Sequence, residues 1–291
     1  MELAELEIFR AVARTESVTR AAHALARVQS NVTTRLRQLE DSLGVTLFLR
    51  ENKRMTLTPD GRRLLAYAER LLALAEETRQ AMRADTPAGR LRLGAMESAA
   101  ASRLPQPLAS LHAQWPDLAI DLHTGTTQWL AGQVAACRLD CAVIAHPAAS
   151  PADTAMAPLH ASLRGAYLYS EELLLALPPG HPPVRTPQDI QVRTLAAFAQ
   201  GCTYRLCAEQ WLDMAGVRVI EMASYHAMMA GVLAGSAMAI LPRSVLALHP
   251  GAALARTVPV RTVPCFLIHR DGYDSAARLA LLRALQAPPA P

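Results

Sequence analysis

The chain has 291 residues, 51% of them apolar and 4% aromatic, and a formal net charge of +4. That length accommodates two or three domains with cores of their own, and periodic apolar segments exclude a disordered chain. Five cysteines without a CxxC pair argue against a disulfide framework or structural zinc. No apolar run reaches the roughly 18 residues of a membrane span, and the amphipathic start, with Glu2, Glu5 and Glu7, is not a signal peptide, so a cytoplasmic location without a membrane partner is expected.

Residues 1–14 read as a first helix with Leu3, Leu6, Phe9 and Ala13 on one face. Ser17 is a good N-cap for VTRAAHAL, a break follows at Ala26-Arg27, and a further helix runs from Gln29 to Leu43 and stops at Gly44. On that helix Val32, Leu36 and Leu39 form a buried stripe. The opposite face carries Ser30, Thr34, Arg37 and Gln38, flanked by Gln29, Asn31 and Thr33. Short hydroxyl and amide tips suit base edges in a major groove, while Arg35 and Arg37 suit phosphates. VTLFL, RENKR and MTLT then read as a hairpin with Arg50, Lys53 and Arg54 at its tip. Any three-helix unit has a polar face; helix, turn, polar-faced helix and basic hairpin in that order point to double-stranded DNA. Charge agrees, with nine Lys/Arg against four acids between Ser17 and Arg63.

Thr58-Pro59-Asp60 opens a long helix, residues 59–84, on which Leu64, Ala68, Leu71 and Ala75 follow heptad spacing continued by Thr78 and Met82. Such a helix would not stand exposed alone, so pairing with a second copy is expected. ADTPAGR follows, with a hinge at residues 85–90. Beyond it strands and helices alternate: LRLGAM, a helix over SAAASRLPQPLASLHAQWP, LAIDLHTG, TQWLAGQVAACR and DCAVIAH make a β-α-β-α-β run. The strand GAYLYSEELLLALP leads to a second such run: LAAFAQ, TYRLCAEQWLDMAG, RVIEMAS, HAMMAGVLAG and AMAILP. TVPCFLIHR and a final helix follow, and the APPAP tail is expected to be disordered. The class is α/β, multidomain.

The order AA…L…VQSNVT.RLRQLEDSLGV.LF.R…..LT..G closely resembles the N-terminal winged helix-turn-helix of LysR-type transcriptional regulators, and the likeness extends over the whole chain. The family usually carries an arginine at the position of Thr34; here the arginine comes next, at Arg35. LRLGAMES, TGTT, GCTYR and AILPRSVL look most like the subgroup named for a regulator of glutamate synthase genes. The resemblance implies a winged helix-turn-helix over residues 1–58, the linker helix as dimerisation element, and a two-lobed, periplasmic-binding-protein-like effector domain over 91–291. Lobe I would hold 91–164 and 259–287, lobe II 165–258, with crossings near Gly165 and Val258. A homodimer or homotetramer, a small-molecule effector and contact with RNA polymerase are also implied.

Two such lobes place a cleft at the carboxyl ends of their strands. Those ends offer Glu97, Ser98, Thr124, Thr126, Thr127 and His146 from one lobe, and Gly201, Cys202, Thr203, Tyr204, Arg205 and Ser224 from the other. Helix-start N–H groups and the Arg205 guanidinium favour a small anion. Glu97 would oppose that charge unless it pairs with Arg205 or holds a ligand amine, so an anionic or amino-acid-like effector is expected. An alternative is a thiol redox sensor using Cys202, whose helix-start position beside Arg205 favours thiolate; Cys207, five residues on, points elsewhere. There is no GxSxG, HExxH or phosphate loop, so no enzyme, catalytic residue, metal or cofactor is expected.

Overall fold

The computed structural model describes residues 1–51, 54–82, 86–156 and 159–287, and the side chains of Arg50, Glu51, Gln80 and Ala81 are not among those described. Lys53 and most of the APPAP tail lie outside these residues. The chain divides into two compact units, residues 1–84 with 136–138 and residues 85–135 with 139–291. No helix among the described residues is long and apolar enough to cross a membrane.

The first unit packs α1 (Leu3–Thr15), α2 (Val18–Ala24) and α3 (Gln29–Leu43) around Leu6, Phe9, Val12, Val32, Leu36 and Leu39, all essentially inaccessible to solvent. Ser17 caps α2 by accepting the Arg20 N–H, and Gly44 ends α3 in the left-handed region at φ 66°. The hairpin β1 (Phe48–Glu51) and β2 (Arg54–Leu57) pairs Phe48 with Leu57 and Glu51 with Arg54. Glu40 fixes it to α3 by accepting the Leu47 N–H at 2.7 Å. Thr58 caps α4 (Pro59–Ala81) by accepting the Gly61 N–H at 2.9 Å while donating to the Thr46 carbonyl at 2.8 Å. Only glycine fits at 61, because a Cβ there would lie 2.2 Å from the Leu47 carbonyl oxygen.

The heptad on α4 needs correcting. Ala68 is fully buried in the core of this unit, together with Leu72, and Ala75 is half-buried. The first turns of the helix are already used to close that core. The exposed large apolar residues are Tyr67, Leu71, Leu74 and Met82, a stripe that shares Leu71 and Met82 with the expected seam.

The second unit is one eight-stranded sheet. Its first run is β3 (Gly89–Ala95), α5 (Glu97–Ser102), α6 (Pro105–Gln114), β4 (Leu118–Thr124), α7 (Thr127–Ala135) and β5 (Cys141–Ala145). The strand β6 (Leu163–Leu177) leads to β7 (Thr194–Ala197), α8 (Thr203–Trp211), β8 (Arg218–Glu221), α9 (Tyr225–Leu233), β9 (Met238–Pro242) and α10 (Arg243–Leu246), and β10 (Arg256–Arg270) and α11 (Ala276–Gln286) follow. The strand order is β4-β3-β5-β10-β6-β9-β7-β8. Residues 89 and 90 therefore belong to a strand and not to the hinge. The single helix expected between β3 and β4 is broken at Arg103-Leu104, because Pro105 has no N–H to continue the ladder and instead opens α6 at its first position.

Within each lobe the strands run parallel, β4 and β5 beside β3, β8 and β9 beside β7. Helices cover both faces, which is why every residue of β5 and β9 is buried. The lobes are joined by β6 and β10, which pair antiparallel from Leu163↔Arg270 to Leu177↔Arg256. At one end β10 pairs with β5 from Cys265 to His269; at the other β6 pairs with β9 from Leu173 to Ala176. The passage between lobes thus falls in mid-strand, around Ser170–Glu172 and Arg261–Pro264, and not near Gly165 and Val258. A paired ribbon needs no turn at the boundary, so no turn residues mark it.

Candidate functional site

Two regions bear on function. The first is the outward face of α3. Gln29, Ser30, Asn31, Thr34, Arg37 and Gln38 are exposed, opposite the buried Val32, Leu36 and Leu39, as the periodicity predicts. Three flanking side chains are partly occupied. Thr33 is half-buried and donates to the Gln29 carbonyl at 3.0 Å. The side chain of Gln29 accepts from Thr19 at 3.3 Å, joining α2 to α3. Arg35 is turned toward Glu2 at 3.7 Å, ahead of α1 and away from the face that Arg37 occupies. Arg54 is exposed on the hairpin. Lys53 lies outside the described residues, as does the side chain of Arg50.

The second region is a cavity of about 260 Å³ between the lobes. Lobe I lines it with Met96, Glu97, Thr124, Gly125, Thr126 and Thr127, at the ends of β3 and β4 and the start of α7. Lobe II lines it with Phe198, Ala199, Cys202, Tyr204, Met222, Ala223 and Tyr225, at the ends of β7 and β8 and the starts of α8 and α9. Six of the twelve sequence-predicted residues are brought together there: Glu97, Thr124, Thr126, Thr127, Cys202 and Tyr204.

Glu97 is the one formally charged side chain in that lining. One end of its carboxyl faces the backbone N–H of Tyr225 across the cleft, while Oε2 is buried without a hydrogen-bond partner. Burial raises its pKa, against the opposing pull of the Tyr225 N–H and of His226. Cys202 stands ahead of the first turn of α8, yet burial pushes its thiol pKa up and outweighs the Arg205 and Tyr204 N–H groups. Burial likewise holds the hydroxyls of Tyr204 and Tyr225 protonated, and both share hydrogen bonds with Ser98.

The other six predicted residues stand outside the lining. Ser98 and Thr203 are buried behind it and tie the lobes together, Thr203 by donating to the Ala145 carbonyl and meeting the Thr127 hydroxyl, each at 2.9 Å. Gly201 accepts the Gln128 N–H through its carbonyl at 3.2 Å. Ser224 caps α9. His146 is buried, its Nδ1 accepting from the Ala148 N–H while Nε2 has no partner, and desolvation lowers its pKa.

Arg205 is the main correction. It is bonded to Glu209 at 2.7 Å, to Glu221 at 2.7 Å and to the Phe198 carbonyl at 3.1 Å, and those acids hold its guanidinium firmly charged. It props up the cavity wall and does not face the cavity, and it does not pair with Glu97. One helical turn places Glu209 beside it, a partner the sequence spacing would have exposed.

Phe198 and Met222 were missed for a simple reason. Phe198 continues the apolar run Leu195-Ala196-Ala197, and Met222 reads as one more residue of the strand RVIEMAS, so in both cases the expected strand runs past its true end. β7 ends at Ala197 and β8 at Glu221, and the next residue in each case enters the cleft.

Residues 3–62 match the model of the bacterial regulatory helix-turn-helix protein, lysR family, and residues 84–288 match that of the LysR substrate binding domain. Among similar proteins, the uncharacterized HTH-type transcriptional regulator YusT of Bacillus subtilis (strain 168) is 34% identical over 286 residues, covering 95% of this chain and 92% of YusT. The HTH-type transcriptional regulator GltR of the same strain is 35% identical over 253 residues, 86% of this chain and 82% of GltR. Of solved structures, a full-length OxyR cysteine variant from Pseudomonas aeruginosa superposes with a TM-score of 0.72 at 21% identity, covering 98% of this chain and 95% of that one. Full-length CbnR complexed with its target DNA gives 0.67 at 22%, covering 98% and 99%.

Proposed function

The chain belongs to the LysR family of DNA-binding transcriptional regulators with an effector-binding domain, and on that premise we propose that it binds a specific operator as a homodimer or homotetramer under the control of a small effector in the interlobe cleft. The observation that carries the first half is the exposed polar face of α3, with Ser30, Thr34 and Arg37 opposite a fully buried stripe and Arg54 exposed on the adjoining hairpin. Small hydroxyls read base edges; the arginines hold phosphate. CbnR, whose structure has a similar fold, is solved in complex with its target DNA, which supports DNA as the partner of this chain. Pairing of two reading heads is supported by the exposed stripe Tyr67–Leu71–Leu74 on α4, continued by Met82 just past its end, a surface that a second copy would cover.

The effector is anionic or amino-acid-like: a carboxylate can sit at the first turns of α7 and α8, where N–H groups and the threonine hydroxyls converge. Its control over DNA requires unequal affinity for two arrangements of the protein. The raised pKa of Cys202 lends no support to a peroxide-sensing thiol.

Selection of genomic fragments by the purified protein, followed by footprinting, tests this reading. A discrete protected site is expected. Arg37→Ala should weaken binding to all sequences and lower the salt slope by about one ion, whereas Ser30→Ala and Thr34→Ala should change which fragments are preferred. Uniform protection without preference would refute sequence-specific binding.

A further inference from the structure

Whatever occupies the cleft meets one formal charge and no compensating one. Among the described residues the lining contains no lysine, arginine or histidine. Outside the lining, Arg205 is satisfied by Glu209, Glu221 and a carbonyl, and His226 pulls on Glu97 without entering the lining. Glu97 holds one carboxyl oxygen toward the Tyr225 N–H and leaves Oε2 buried and without a partner. A buried carboxylate oxygen left bare is costly, and a hydrogen-bonded cation is the group that best relieves the cost. The same cavity is lined by the rings of Phe198, Tyr204 and Tyr225, a ring type whose π face attracts a desolvated ammonium, and by the Met222 side chain. A simple anion would have to sit beside Glu97 with nothing but N–H dipoles in its favour.

We propose that the cleft selects a ligand bearing a protonated amine, held by Glu97 Oε2, with an apolar body against Phe198 and Met222; simple carboxylates are rejected. This rests on the cleft being the effector site and narrows the effector to the amine-bearing members of the wider class. A carboxylate elsewhere on the same molecule remains compatible, at the starts of α7 and α8. Burial already raises the pKa of Glu97, and an ammonium ion alongside would draw it back down.

The test is thermal shift and calorimetry on the full chain with three matched sets. These are the common L-amino acids with linear mono- and diamines, the corresponding acids lacking the amine, and the corresponding amines lacking the carboxylate. Stabilisation by amine-bearing members alone is expected. Glu97→Gln should weaken the bound amine by about tenfold or more, the scale of a lost charge-assisted hydrogen bond, and Glu97→Asp should weaken it less. Equal binding of the deaminated acids, undiminished amine binding to Glu97→Gln, or no binding by any amine in the panel would each overturn the proposal. Ala199→Trp, which fills the cavity from lobe II, separates the two levels. If an amine binds that variant as tightly as the parent, the cleft is not the site. If Ala199→Trp abolishes binding and Glu97→Gln does not, the cleft stands and the amine assignment falls.

Discussion

Lobes I and II are built on the same β-α-β-α-β run, yet lobe I presents Glu97, Thr124, Thr126 and Thr127 to the cavity while lobe II presents Phe198, Met222 and the rings of Tyr204 and Tyr225. Shared topology fixes where strands end and helices begin, and leaves open which side chains stand there. A molecule held between the lobes meets hydroxyls and charge on one side and ring and thioether surface on the other, with backbone N–H groups at both. That asymmetry orients it, which a symmetric cleft could not do.

The largest expected effect comes from the seam that makes the comparison possible. Glu171, buried on β6, accepts from Ser244 of lobe II at 2.9 Å and from Arg103 of lobe I at 3.2 Å. Glu171→Ala should cost roughly 2–3 kcal/mol in urea unfolding, less than a fully buried pair because Arg103 can turn to water. A cost under about 0.5 kcal/mol would mean that apolar packing alone joins the lobes. Arg205→Ala should cost about 1–2 kcal/mol while leaving ligand affinity in the cleft within a factor of about two; a large loss of affinity would put Arg205 back among the binding residues. Thr127→Val, isosteric but unable to meet Thr203, should cost about 1 kcal/mol and, if the polar side of the cleft is lobe I, should weaken the bound ligand.

The smallest effect concerns pH. The pKa of Glu97 is raised in the folded chain, chiefly by burial, so the native state holds that proton more tightly than the unfolded state does. Its contribution to stability is therefore most favourable in acid and declines as pH rises from the ordinary carboxylate range through the raised value. Glu97→Gln should remove this dependence. The melting temperature of the variant should gain on the parent between pH 5 and pH 8, and an unchanged difference would show that Glu97 is not desolvated.

The reading head was legible almost residue by residue because its signals are local: a cap at Ser17, a stop at Gly44, and a stripe of Val32, Leu36 and Leu39. The alternation of strands and helices in the second unit was legible for the same reason. Less legible was anything decided by contacts distant in sequence. The α4 seam was displaced because Ala68 is claimed by the head's own core; Arg205 has one partner in local reach, Glu209, but its second, Glu221, comes from β8, distant in sequence. Arg35 was drawn toward Glu2 by the fold of α1 over α3. Strands that end one residue earlier than their sequence pattern concealed Phe198 and Met222.

β10 is the last strand to be synthesised, yet it lies in the middle of the sheet, between β5 and β6. The elements of the head, α1 to α4, are consecutive and emerge first. Until residues 256–270 leave the ribosome, β5 and β6 each lack a neighbour and present open edges that invite mispairing. Nascent chains thus pass through a stage in which every element of the DNA-binding head has emerged and the effector domain lacks its central strand. A premature stop before residue 256 would make that stage permanent, leaving the DNA-binding head attached to a sheet without its central strand.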